Sequence, residues 1–284
     1  MEDKCIYTNG DSFVAGTELA DELLPGYPGA NNYPWGSDKH EKDKQWYFDT
    51  FKENTESLQI RLDKGQEILR LEYERAFPAK MKQKLGIEVI NHAVAGSSMD
   101  RIARTAIYDL LKLKKQYKNI IAIIGTTHCA RFEVASCEKM YFNPLGQHTA
   151  WTSLSTNYKL PFSNQLFDDM ITYQYKYSDT YHFVMNYLKN AILIKYFCKA
   201  HNIKLYWVTT NNKIEDDIAI MDEEYRDLDD VKQMYIDANI KPIIRMHDIA
   251  ATLKTGVLCP SGHYSEKVHE YIANELITKL KDHL

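Results

Sequence analysis

A chain of 284 residues that is 44% hydrophobic and 26% charged holds enough apolar material for one large domain with a full core. Its net charge of −4 at pH 7 argues against a broad surface for nucleic acid or an anionic membrane. No apolar run is long enough to span a bilayer, and Met1-Glu2-Asp3-Lys4 carries no apolar signal region, so a cytoplasmic, reducing setting is expected.

In chain order, the first strand-like run is Cys5-Ile6-Tyr7, followed by the polar turn Thr8-Asn9-Gly10-Asp11-Ser12-Phe13 and then Val14-Ala15-Gly16. That order reads as a buried strand, a tight turn and a helix start. A serine at the carboxyl end of a first α/β strand sits where such sheets place their chemistry, and backbone N–H groups there can face a developing negative charge. Asp11 is expected to hold the turn by capping the backbone that follows it. Residues 31–84 form a long charged stretch that starts with Tyr33-Pro34-Trp35-Gly36, and Ser57 to Lys84 reads as one long solvated helix.

A second strand is expected at Ile87 to Ile90, followed by Asn91-His92-Ala93-Val94-Ala95-Gly96-Ser97-Ser98. Met99 to Tyr117 has Ile102, Ala106, Leu110 and Leu113 near helical spacing. The third strand, Ile120 to Ile124, leads into Gly125-Thr126-Thr127-His128. Residues 132–180 then form a second inserted stretch, rich in tyrosine and containing Trp151. Both insertions read equally as lids or substrate walls and as extra packing at the sheet edge. Tyr181 to His201 is a helix by its apolar stripe, and Lys204 to Thr209 and Pro242 to Met246 are strands. The acidic stretch from Glu215 to Asp230 lacks the order of a calcium loop and reads as a solvated helix or loop. Tyr264 to Leu284 closes the chain as an amphipathic helix. Strands alternating with helices predict a parallel sheet covered on both faces, a three-layer α/β/α sandwich of flavodoxin-like type. Residues 1–284 read as a single domain carrying the two insertions.

Cys5, Cys129, Cys137, Cys198 and Cys259 are scattered, odd in number and without Cys-x-x-Cys spacing, which indicates neither a disulfide framework nor structural zinc. Cys129 reads as an inert thiol whose side chain points away from that of His128 along a strand. The histidines show no ligand pattern at short fixed spacing, so no metal site is expected. His128 is the one to watch, since it belongs at the strand-end rim.

Gly10-Asp11-Ser12, Ala95-Gly96-Ser97, Thr126-Thr127-His128 and Ser261-Gly262-His263 stand in an order that resembles the SGNH (GDSL-type) hydrolase superfamily. The likeness is particularly to divergent SGNH-like proteins of large phages, which share an Asn-Gly-Asp-Ser opening and an arginine after the third block, here Arg131. The resemblance implies Ser12 as nucleophile and His263 as base, with Ser265 and His269 in the run that follows. It implies an oxyanion hole made by Ser12, Gly96 and the third-block position, held here by Thr127 where the family has asparagine. Gly96 is expected to permit close backbone approach. Asp11, His128 and Arg131 are candidate supporting residues.

The family aspartate three residues before the histidine is replaced by Pro260. A backbone carbonyl of Cys259 or Pro260 is expected to hold the imidazole instead, with Asp248 a distant candidate. The implied activity is hydrolysis of an ester, thioester or O-acetyl group through an acyl-enzyme, with no metal or organic cofactor. The partner is a small acylated substrate, carbohydrate-linked or nucleoside-linked given the aromatic content. An acyltransferase using the same site is one alternative. A catalytically decayed module for binding or assembly, suggested by Thr127 and Pro260, is another.

Overall fold

The computed structural model describes residues 2–29, 55–135, 151–155, 180–210, 228–253, 257–260 and 262–284, with a few isolated positions between them. Its elements in chain order are β1 (Glu2–Asn9), α1 (Ser12–Ala15), α2 (Thr55–Arg75), α3 (Phe77–Leu85), β2 (Glu88–Asn91), α4 (Met99–Leu113) and β3 (Tyr117–Gly125). There follow β4 (Arg131–Ala135), β5 (Trp151–Ser155), α5 (Thr180–Ala200), β6 (Lys204–Thr209), α6 (Asp229–Ala238), β7 (Pro242–Arg245), α7 (Met246–Thr252) and α8 (Glu266–Leu280).

The main sheet runs β2-β1-β3-β6-β7, and every neighbouring pair is parallel. Counted among themselves, its strands lie in the order 2-1-3-4-5, the doubly wound flavodoxin-like arrangement. A sheet buried on both faces needs apolar residues at successive positions rather than alternate ones. Ile120-Ile121-Ala122-Ile123-Ile124 meets that need. Ile120, Ala122 and Ile124 join a core with Cys5, Tyr7 and residues of α4, α5 and α6. Ile121 and Ile123 join the opposite core with Ile6 and residues of α3, α7 and α8. The three layers follow from this alternation.

One expectation about the inserted stretches is corrected, and the other stretch contains an element that was not expected. The segment read as one helix from Ser57 to Lys84 is two, α2 and α3, parted at Ala76, whose ψ of 156° is extended. Pro78 lies at the start of α3 and has no N–H to bond back into the last turn of α2, so a continuous helix would lose that bond and crowd the proline ring. Within 132–180, residues expected only as an insertion contribute an antiparallel pair, β4 with β5. Glu133 on β4 accepts a two-pronged bond from Arg104 of α4 at 2.9 and 2.6 Å, which anchors the pair to the main body.

The aromatic opening at 33–36, residues 215–227, Cys137, Ser261 and most of 136–179 lie outside the described residues. Among the described residues no helix is long and apolar enough to cross a membrane.

Candidate active site

The site begins where β1 ends. Asn9 is fully buried. Its Oδ1 accepts from the Gly10 N–H at 2.8 Å, and its Nδ2 donates to the Tyr7 hydroxyl at 2.7 Å and to Thr105 Oγ1 at 2.9 Å. The turn therefore leaves the strand in one direction. Asp11 caps α1, its Oδ1 accepting from the Phe13 N–H at 3.2 Å. Ser12 is the first residue of α1 and is 5% exposed.

Two glycines let this short helix settle onto the sheet. A Cβ on Gly10 would lie 2.5 Å from Val14 Cγ2, and one on Gly125, at the end of β3, would lie 2.4 Å from the same atom. Any side chain at either position would lift α1, and Ser12 with it, off the strand ends.

Arg131, the first residue of β4, ties three loops together through one nitrogen. Its Nη1 donates to Asp11 Oδ2 at 3.1 Å and to Thr127 Oγ1 at 2.7 Å, and it lies 3.5 Å from the Ser97 carbonyl. The loop after β1, the loop after β2 and the loop after β3 thus meet at a single guanidinium. Asp11 is completely buried, and Thr127 is 1% exposed. The loop after β2 is also stitched directly to the first, with Val94 N–H donating to the Gly10 carbonyl at 3.2 Å and His92 N–H to the Thr8 carbonyl at 2.9 Å.

Gly96 lies on that loop with φ of 76°. A Cβ there would meet nothing within 4 Å. The backbone torsion there favours glycine, and the space beside it is open. Beside it, Ser97 Oγ donates to the Val94 carbonyl at 2.6 Å and accepts from Arg101 Nη1 at 3.3 Å. Burial pushes the Arg101 guanidinium pKa down, with the Glu133 charge opposing.

His263 arrives from the far end of the chain on a tight loop. Gly262 N–H donates to the Cys259 carbonyl at 2.9 Å, and Cys259 N–H donates to the His263 carbonyl at 2.7 Å. The imidazole packs on the ring of Phe13 with centroids 4.9 Å apart, which sets it beside the residue following Ser12. Its Nδ1 lies 3.4 Å from Glu18 Oε1.

Glu18 is fully buried, has φ of 73°, and donates its backbone N–H to Glu72 Oε1 at 2.8 Å. Burial works to lower the His263 pKa, but Glu18, then Asp11 and Glu72, outweigh it, and the net direction is up. The Cys259 carbonyl accepts from the Gly262 N–H within its own turn, and a carboxylate oxygen of Glu18 faces the ring. Asp248 opens α7, and its charge bears on the Tyr264 hydroxyl.

His269 is a structural residue. It is 1% exposed, its Nδ1 accepts from the Phe77 N–H at 3.1 Å, and its ring stacks on Phe77. Burial, with help from the charges of His263 and Lys80, lowers its pKa to about 3. His128 is exposed at the rim, and its carbonyl accepts from the Arg131 N–H at 3.3 Å. Cys129 lies in a turn beyond β3 rather than on the expected strand, and its side chain packs against the core. Among the described residues no group of His, Cys, Asp or Glu is placed to hold a metal ion.

Glu18 is the residue that sequence reasoning missed. Gly16-Thr17-Glu18-Leu19 has the look of an ordinary turn, and no spacing rule connects it to His263.

No protein-family model matches the chain, and no curated protein matches it. Among solved structures, the chain is similar to a carbohydrate esterase at 14% identity and a TM-score of 0.43, covering 99% of this chain and 66% of that one. It is similar to the psychrotrophic esterase EstA from Pseudoalteromonas sp. at 13% identity and a TM-score of 0.44, covering 99% and 98%. It is also similar to a member of the lipolytic protein G-D-S-L family from Veillonella parvula at 10% identity and a TM-score of 0.40, covering 99% and 100%.

Proposed function

We propose that this chain is a divergent SGNH-type serine hydrolase that cleaves an ester, thioester or O-acetyl group through an acyl-enzyme on Ser12. The observation that carries the reading is the convergence at Arg131, which gathers the loops bearing Ser12, Gly96 and Thr127, while His263 packs on Phe13 beside Ser12.

In the first half-reaction Ser12 Oγ bonds to the substrate carbonyl carbon, its proton passes to His263 Nε2, and the carbonyl π pair moves onto oxygen. A serine hydroxyl is a weak nucleophile until a neighbouring base takes that proton. The N–H groups of Ser12 and Gly96 stabilise the oxyanion. Thr127 Oγ1 accepts from Arg131, so its own hydroxyl proton remains to be donated to the same oxygen. On collapse the bond to the leaving alkoxide or thiolate breaks, and that group takes the proton from His263. Water then repeats the sequence in reverse roles and releases the acid. A sugar hydroxyl in place of water would make the same site an acyltransferase.

The substrate class is a small acylated molecule, carbohydrate-linked or nucleoside-linked. Cys198 and Cys259 are buried thiols, in keeping with a cytoplasmic setting. The test is incubation with a fluorophosphonate probe beside Ser12→Ala, with the labelled peptide identified by mass spectrometry. Label confined to Ser12 and lost in the variant is the expected result. Folded protein that takes no label would reject the reading in favour of a decayed module for binding or assembly.

A further inference from the structure

We propose that Glu18 orients His263 and stabilises its protonated form, replacing the carboxylate that SGNH-type enzymes carry three residues before the histidine. The inference rests on the hydrolase reading above. Pro260 holds the family position here and has no side-chain acceptor. Glu18 comes from the opposite direction, six residues after Ser12 in the chain.

The geometry is that of a placed carboxylate. Glu18 is fully buried, and its Oε1 lies 3.4 Å from His263 Nδ1. That is long for a hydrogen bond, as catalytic bonds often are before substrate tightens the site. A carboxylate at such depth is retained only where it has partners. The backbone is held in place for the purpose. Glu18 adopts φ of 73°, a conformation that a side chain other than glycine rarely takes. Its N–H is pinned by Glu72 Oε1 at 2.8 Å. The neighbouring acids have other work: Asp11 bonds Arg131 and the Phe13 N–H, and Glu72 bonds Glu18 itself. The charges that reach the ring are Glu18, Asp11 and Glu72, while His269 of α8 is buried and accepts from the Phe77 N–H.

The consequence for the chemistry is direct. With Nδ1–H donated to Glu18, Nε2 is the acceptor, and it is the atom that must take the Ser12 proton. Once that proton arrives, the imidazolium lies against a buried negative charge. Glu18 positions the base and takes no proton itself.

The experiment follows His263 and Ser12 separately. In wild type the expected signature is a downfield imidazole N–H proton resonance, assigned by its loss in His263→Gln. Its absence would overturn the proposal without any change at Glu18. In Glu18→Gln the His263 titration, followed by NMR, is expected to move to lower pH. The rate of fluorophosphonate labelling at Ser12 is expected to fall by about a hundredfold or more, with its pH midpoint moving the same way. Glu18→Asp should recover part of the rate, and Glu18→Gln should cost nothing further in a His263→Ala background.

A folded Glu18→Gln that labels within twofold of wild type at an unchanged midpoint would overturn the proposal. If wild type takes no label, the hydrolase reading fails on that result alone. The NMR titration then decides the contact by itself: a fall supports it, and no change rejects it.

Discussion

Arg131→Met tests whether one guanidinium holds the three loops together. Methionine keeps the apolar length of the side chain and removes the charge and every donor. Asp11 would be left as a completely buried carboxylate whose Oδ2 has lost a partner at 3.1 Å. Breaking a buried pair from one side costs roughly 3–5 kcal/mol. Two features place this case at the lower end. Asp11 Oδ1 keeps the Phe13 N–H at 3.2 Å, and the Arg131 side chain is 18% exposed, so water can reach the vacated space. The lost bond to Thr127 at 2.7 Å adds about 1 kcal/mol. The expected loss is therefore about 3–4 kcal/mol, read from urea unfolding. Adding Asp11→Asn removes the stranded charge and should return about 1–2 kcal/mol of it. A single variant within about 1 kcal/mol of wild type, or a double variant whose losses simply add, would refute the reasoning.

At the strand ends, Gly125→Ala places a methyl 2.4 Å from Val14 Cγ2 and should cost about 1–3 kcal/mol by overpacking. Combined with Val14→Ala the loss should be smaller than the sum by about 1 kcal/mol, and strict additivity in thermal or urea unfolding would show that the contact is not the cause. His269 stays neutral in the folded state down to about pH 3, whereas the unfolded chain protonates it near its ordinary 6.5. A depressed histidine pKa means that the unfolded state binds the extra proton, so stability falls as pH drops through that window. His269→Asn, whose Oδ1 can accept from the Phe77 N–H, should show a shallower decline between those limits by one proton. Equal slopes in parallel urea titrations would count against a neutral buried His269.

The five sheet strands were readable because a sheet buried on both faces writes itself as unbroken apolar runs, and Ile120 to Ile124 is such a run. Strand ends were less readable. β1 starts at Glu2, where charged residues belong to the ladder but not to the core. The break at Ala76 was signalled by Pro78 and overridden by the charged helical pattern on either side. β4 carries alternation in Arg131-Phe132-Glu133-Val134, too short to stand out against a polar loop. At the site, the order of Ser12, Gly96 and Thr127 after β1, β2 and β3 was legible, with Arg131 opening β4 and His263 ahead of the last helix, while the bonds that join them were not. Glu18 was invisible for a physical reason. It reaches His263 by tertiary approach, and a contact of that kind has no period along the chain.

The placement of β1 has a consequence for how the protein comes into being. It is a central strand, bonded to β2 on one side and β3 on the other, yet it precedes both in the chain. Cys5, Ile6 and Tyr7, all fully buried in the finished sheet, leave the ribosome with neither neighbour yet made. The strand must wait for Glu88–Asn91 on one edge and Tyr117–Gly125 on the other. Long-range parallel pairing of this kind is slow and leaves sticky edges exposed meanwhile. Nascent chains stalled before β3 should therefore be the ones that chaperones hold and that aggregate when chaperones are scarce.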